Sequence, residues 1–168
     1  MREKIIEIWK KIKPHILPYS LAIAIPLTIG ITSAALTRES MDIYETLNTP
    51  PLAPPPILFP IIWSVLFILM GISSAMIFTK RQRNPDAAKK GLIWYGVSLV
   101  LNLSWSIIFF NLQAAFFALL VLIILLYTII RTILDYRKVW PIPAYLQIPY
   151  ALWVIFAGYL NAGIWLLN

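Results

Sequence analysis

The chain has no cysteine, a single histidine (His15), and charged side chains at only 12% of its 168 positions. Without cysteine there is no disulfide, no thiolate nucleophile and no soft-metal site. With one histidine near the end of an apolar run, acid–base and nucleophilic catalysis lack their usual participants, and no metal-ligating group suggests itself. Charge is missing locally as well. No Asp, Glu, Lys, Arg or His occurs in residues 16–37, 46–79, 91–130 or 139–168. A helix rises about 1.5 Å per residue, so about 20 apolar residues cross a hydrocarbon core ~30 Å thick. The third stretch is twice that length, and Asn111-Leu112-Gln113 divides it into a tight helical hairpin.

What is present is apolar: 60% of the residues are hydrophobic. A β-barrel needs short strands that alternate polar with apolar residues, and 119–130 shows no such alternation. The expected fold is an all-α integral membrane protein. Five transmembrane helices, at about 15–37, 57–79, 92–111, 114–134 and 144–167, form a bundle over residues 14–168. A basic juxtamembrane segment, 1–13, precedes them, with Ile5, Ile8, Trp9 and Ile12 at helical spacing. The apolar part of the first run, about 21 residues, is too long for a signal-peptide core, and no small-residue cleavage site stands out at its end.

The basic residues set the orientation. Arg2, Lys4, Lys10, Lys11 and Lys13 precede the first run; Lys80, Arg81, Arg83, Lys89 and Lys90 follow the second; Arg131, Arg137 and Lys138 follow the fourth. The other connections hold one basic residue, Arg38, beside Glu39, Asp42 and Glu45. This asymmetry places the N-terminus in the cytoplasm of a multi-pass cell-membrane protein. The net charge of +7 therefore reads as topology and not as a nucleic-acid footprint.

Five prolines crowd residues 50–56 of the connection 38–56, which makes that segment stiff and extended, either a lid or a spacer. Within the spans, polar and aromatic groups are what remains for chemistry. Asn102 must face the bundle interior, because an amide in hydrocarbon costs several kcal/mol unless it is hydrogen-bonded. Trp63, Trp105 and Trp153 lie deep in three different helices and need an interior partner or a ligand. They either pack the core or line an aromatic cavity for a flat apolar ligand. No internal repeat of the inverted-transporter type is evident, and no acid lies in the apolar runs to couple a proton.

Four segments together are distinctive: Tyr44-Glu45-Thr46-Leu47-Asn48-Thr49-Pro50-Pro51-Leu52-Ala53-Pro54-Pro55, Phe59-Pro60-Ile61-Ile62-Trp63-Ser64-Val65-Leu66-Phe67, Leu101-Asn102-Leu103-Ser104-Trp105-Ser106, and Pro149-Tyr150-Ala151-Leu152-Trp153-Val154-Ile155-Phe156-Ala157-Gly158-Tyr159-Leu160-Asn161. In this order and spacing they resemble the TspO/MBR family of tryptophan-rich sensory and translocator proteins, in its bacterial type, over residues 15–168. The resemblance implies a five-helix bundle, often a homodimer, with a pocket beneath the 38–56 loop that binds porphyrins such as protoporphyrin IX. Carried over by position, that pocket comprises Tyr44, Pro54, Trp63, Phe67, Asn102, Trp105, Trp153, Phe156, Ala157 and Leu160. No cofactor or metal is implied. The animal members' cholesterol motif is absent, since no basic residue follows Tyr159.

The resemblance implies a membrane sensor or receptor for tetrapyrroles, with a regulatory role. Light- or oxidant-driven porphyrin breakdown, with Trp63 and Trp153 as the reactive residues, is the alternative, and porphyrin transport the second. The topology is directly testable, because single cysteines can be introduced into a cysteine-free chain. Thr49→Cys is expected to react with a membrane-impermeant maleimide on intact cells, and Lys89→Cys only after permeabilisation. The opposite pattern would invert the orientation.

Overall fold

A computed structural model describes the backbone of residues 2–40 and 43–168, and the side chains of residues 16–40, 44 and 46–168. The expected amphipathic face at Ile5, Ile8, Trp9 and Ile12 lies outside the described side chains. Every regular element among the described residues is helical. α1 runs Arg2–Thr37, a short 3-10 turn follows at Arg38–Ser40, and α2 is Ile43–Thr46. Then come α3 (Leu58–Thr79), α4 (Pro85–Ser106), α5 (Ala115–Val139), α6 (Pro141–Leu146) and α7 (Ile148–Leu167). Five helices are long and apolar enough to cross a membrane, with α6 and α7 forming the fifth together. This is a multi-pass membrane protein.

Several boundaries differ from the sequence-based ones, each for a local reason. α4 starts at Pro85 and not near residue 92. Asn84 caps it, its side-chain oxygen accepting from Ala87 N at 3.2 Å, and Pro85 supplies the helical φ of the first turn. At its other end α4 widens into a π turn, Ile107–Asn111, where Leu112 N donates to Ile107 O at 3.1 Å. α5 continues to Val139 and not 134, and carries Arg131, Asp135, Arg137 and Lys138 on its final turns. The fifth span begins at Pro141 and breaks at Gln147, just before Pro149, whose ring nitrogen has no proton to donate.

The five spans close into a ring in the order α1, α3, α7, α5, α4, with α4 returning to α1. One end of the ring, here called the basic face, gathers the 80–90 connection and the end of α5. The opposite end, the loop face, gathers residues 38–40 and 43–57, the 111–114 turn and the end of α7. α1 is the least buried span. It is held to α3 by close approach at two glycines: a methyl group at Gly71 would lie 2.5 Å from Ile23 Cα, and one at Gly30 would lie 2.4 Å from the Phe67 ring.

Gly71→Ala must push α1 backbone away, whereas Gly30→Ala has only a side chain to displace. Gly71→Ala is therefore expected to cost about 1–3 kcal/mol. Gly96→Ala, where nothing lies within 4 Å, is expected to change stability by less than about 1 kcal/mol and toward the stable side. Thermal unfolding in detergent, followed by circular dichroism, separates the two.

Candidate functional site

The interior face of α4 is polar. Tyr95, Ser98, Asn102, Trp105 and Ser106 recur at helical spacing and all are buried. Ser98, Asn102, Trp105 and Ser106 find partners on another helix or on the backbone of their own helix, whereas the Tyr95 hydroxyl has none. The Asn102 amide donates to Tyr150 Oη on α7 at 3.2 Å. The Trp105 indole N–H donates to Asn161 Oδ1 on α7 at 3.1 Å, and the Asn161 amide donates to Ala115 O on α5 at 2.7 Å. Gln147 Nε2 donates to Ser73 Oγ at 3.1 Å, and Ser73 donates to Pro143 O at 2.8 Å, which ties the α6–α7 break to α3. Tyr150 and Asn161 are the functional positions that sequence reasoning passed over. Their signal is the stripe 150, 154, 157, 161, 164, which is apolar in the middle and polar at two turns.

Beside this polar seam lies a cavity of about 320 Å³, bounded by α1, α3 and α4. Trp63, Phe67, Asn102 and Trp105 line it, together with Gly30, Thr37, Phe59 and Phe110. The Trp63 and Trp105 ring centroids are 6.3 Å apart with their planes tilted 35°. Phe67 stacks on Trp63 at 5.4 Å. The volume is at the lower end of the range of about 300–1,000 Å³ usual for small-molecule sites. No charged side chain lines it. Ile31, Ala34, Pro60 and Ser64, all on its border, are exposed, so it opens sideways on the bundle surface between α1 and α3.

The other positions carried over from the resemblance sit elsewhere. Tyr44, Ala157 and Leu160 meet Trp105 around a space of about 20 Å³, and Tyr44 also borders a second cavity of about 420 Å³ with Leu47, Phe109, Phe116 and Trp165. Phe59, Trp105 and Phe110 form the wall shared by this space and the large cavity. Tyr44 packs edge-on against Phe59 at 5.3 Å, Phe59 against Trp153 at 6.0 Å, and Trp153 against Phe156 at 5.5 Å. Trp153 and Phe156 thus stand behind Phe59 and do not line the large cavity, and neither does Pro54. The Tyr44 hydroxyl and the Trp153 indole N–H are buried without a partner, and burial pushes the Tyr44 phenol above its ordinary value.

The proline-rich connection is fastened to α7. Asn168 Oδ1 accepts from Asn48 N at 3.0 Å and its amide donates to Asn48 O at 3.1 Å. Tyr159 Oη donates to Pro51 O at 2.8 Å. Pro50 occupies the space that a side chain at Gly163 would need, 2.5 Å from the ideal Cβ. Between these contacts Pro50–Ala53 turn back on themselves, with Ala53 N donating to Pro50 O at 3.3 Å and Leu52 at φ 67°. A branched residue in that conformation is strained, and the neighbouring contacts hold it there.

Comparison with known proteins rests on this sequence and fold. The model of the TspO/MBR family matches residues 22–166. The chain belongs to the TspO/MBR family. It is 34% identical over 155 residues to the tryptophan-rich protein TspO of Chlorobaculum tepidum, covering 92% of this chain and 98% of that one. It is 36% identical to protein CrtK of Rhodobacter capsulatus, over 74% and 78% of the two chains. To the translocator protein of Bos taurus it is 32% identical, over 84% of each. Within this TspO/MBR bundle, Asn161 holds the Trp105 ring against the cavity. Asn161→Leu strands the buried indole N–H, an expected loss of about 1–3 kcal/mol. Trp105→Phe added to Asn161→Leu is expected to cost much less than it does alone, which a double-mutant cycle of unfolding in detergent measures.

Proposed function

We propose that this protein is a membrane receptor for porphyrins, protoporphyrin IX and related tetrapyrroles, which bind in the 320 Å³ aromatic cavity. The observation that carries the reading is the pair of indoles, Trp63 and Trp105, on one cavity wall at 6.3 Å. Their faces and the Phe67 ring offer a flat apolar ligand a stacking surface. Membership in a family that includes tryptophan-rich and translocator proteins supports it. Asn102 supplies an amide at the polar edge of the ligand. Porphyrin carboxylates have no cation inside the cavity, so they stay at its loop-face end, where Arg38 follows the lining residue Thr37.

The sideways opening between α1 and α3 suits a ligand that partitions first into the bilayer. It enters there without lifting the loop, which stays fastened to α7. In this reading the space beneath the loop, filled by Tyr44 and Phe59, is not the primary site. That reassigns Tyr44, Trp153, Phe156, Ala157 and Leu160 from ligand contacts to the wall behind Phe59, and leaves Pro54 in the loop outside the cavity.

Quenching of tryptophan fluorescence by protoporphyrin IX in darkness tests the site. Trp63→Ala is expected to weaken binding by about 1–2 kcal/mol, a roughly five- to thirty-fold rise in Kd. Ala34→Trp, which fills the border of the cavity, is expected to abolish saturable binding. Trp94→Phe, whose ring packs on Tyr127, serves as the control and should bind as the parent does. Unchanged affinity in both Trp63→Ala and Ala34→Trp would place the ligand elsewhere.

A further inference from the structure

The second cavity, of about 420 Å³, lies at the loop face, and no residue of α1 or α3 lines it. Its walls are the π turn that ends α4 (Phe109, Phe110), the start of α5 (Phe116, Phe117) and the end of α7 (Trp165), with Tyr44 reaching in from the connection. Among the described residues, Phe110 is the one side chain that it shares with the cavity between α1 and α3. Two local distortions shape this corner. One is the π turn itself; the other is Gln113, on the rim, which holds a left-handed backbone at φ 51°. Such turns and such strained residues recur where a chain shapes a ligand site.

The rings decide what shape the space accepts. Phe116 packs on Trp165 at 5.1 Å with the planes tilted 47°, and edge-on against Phe117 at 5.5 Å. On the α4 side Phe109 and Phe110 meet edge-on at 5.0 Å. Aromatic faces and edges from three helices favour a flat ring, whereas a flexible acyl chain gains no stacking from them. Charge narrows the choice further. No charged side chain lines the cavity. The 38–56 connection carries Glu39, Asp42 and Glu45 against Arg38 alone, so an anionic group finds no complement there. The occupant that fits is an uncharged ring.

Polar groups set its substituents. Asn168 is committed elsewhere: its oxygen accepts from Asn48 N, and its amide donates to Asn48 O and to Ile164 O. The Tyr44 hydroxyl is not. Tyr44 is 9% exposed, and its hydroxyl is buried with no partner. The adjoining space of about 20 Å³, which Tyr44 also borders, has room for no more than a water molecule. A phenol is a good donor, and an unpaired donor in an apolar wall is costly. A carbonyl oxygen on the occupant supplies the missing acceptor without adding charge. The Gln113 carboxamide, exposed on the rim, offers a second donor. Phe116, Phe117 and Trp165 are themselves exposed, so the cavity opens sideways to lipid between α5 and α7.

We propose that this cavity binds a neutral ring with carbonyl acceptors and an apolar tail, the chemistry of a membrane quinone. The ring lies among Phe109, Phe116 and Trp165, one carbonyl accepts from Tyr44, and the tail leaves past Phe117 into the bilayer. The proposal concerns binding alone. It involves no porphyrin, so it stands or falls separately from the reading of the α1–α3 cavity.

Titration of the full chain in detergent with decylubiquinone, in darkness, tests it through tryptophan fluorescence. The parent is expected to show saturable quenching, and Trp165→Phe to lose a large part of its amplitude. Tyr44→Phe, which removes only the hydroxyl, is expected to raise Kd about threefold to tenfold. Ala114→Phe, which fills part of the cavity, is expected to raise it about tenfold or more. Decylbenzene keeps a ring and a tail but no carbonyl, and is expected to compete no better against the parent than against Tyr44→Phe. Should Ala114→Phe not fold, Tyr44→Phe and Trp165→Phe carry the test. Quenching that does not saturate in the parent, an amplitude that Trp165→Phe leaves whole, or a Kd that Tyr44→Phe leaves unchanged would each overturn the proposal. So would a Kd raised by Trp63→Ala and not by Ala114→Phe, which puts the quinone between α1 and α3.

Discussion

In a bilayer little water reaches the middle of a bundle, so a polar group carried inward is costly unless another from the protein matches it. That single constraint organises this structure. The interior amides, Asn102, Gln147 and Asn161, join α4, α3 and α5 to the fifth span. Helix packing in lipid draws little from apolar burial, because the acyl chains are as apolar as leucine. The polar contacts therefore decide which helices stay together and in what rotation. α3, α4, α5 and α7 share them and form the fixed part of the bundle. α1 takes part in none of the interior amide bonds. Close approach at Gly30 and Gly71 holds it, along with a peripheral bond in which the Asn111 amide donates to Leu36 O at 2.9 Å.

The cavity lies along this division. It forms where α1 parts from α3 and α4 toward the loop face, beyond the tight contact at Gly71 and with Gly30 itself on its lining. Two of its walls belong to the polar-stapled core, with the indoles held in place: Trp105 by Asn161, and Trp63 by stacking against Phe67 and edge contact with Tyr150 at 6.1 Å. The third wall is the least buried span in the molecule. A rigid aromatic floor with one less constrained side suits a ligand whose shape is planar and whose substituents vary.

Much of this was legible in the sequence, and the parts that were not share a physical cause. Long runs without charge fix the number of spans, because hydrocarbon leaves no other way to satisfy the backbone. Trp63, Phe67, Asn102 and Trp105, four of the positions that the resemblance implies, line one cavity. The boundaries of α4 and α5 were missed because charged residues were read as connections, whereas 85–90 and 131–138 are helix, with Lys89, Lys90, Arg137 and Lys138 on the outward side and Asp135 buried. Asn84-Pro85 is a cap signal that the charge pattern obscured. The burial of Asp135 was hidden for the same reason, since its neighbours in sequence are polar and only packing against Gly91 encloses it. The placement of Tyr44, Trp153 and Phe156 was not legible at all. It depends on how the 47–53 segment turns at Leu52 and seats Pro50 on Gly163, contacts 108 to 120 residues apart in the chain.

The fastened loop and the open flank follow from one another. A proline-rich segment has little conformational entropy to lose, so a few hydrogen bonds from Asn168 and Tyr159 suffice to hold it down. Once down, it buries Tyr44 against Phe59 above the core. The remaining access to the indoles is through the side, where Ile31, Ala34, Pro60 and Ser64 border the cavity. A molecule reaching that border has already left water for lipid, so the apolar part of its transfer free energy is spent before it meets the protein. In the proposed receptor reading, what the cavity adds is discrimination, through the stacking geometry of two fixed rings and one amide. The absence of charge from the lining is then part of the selectivity. An ionised group cannot follow the flat apolar body inside, and the ligand's orientation is set by which of its edges must remain outside.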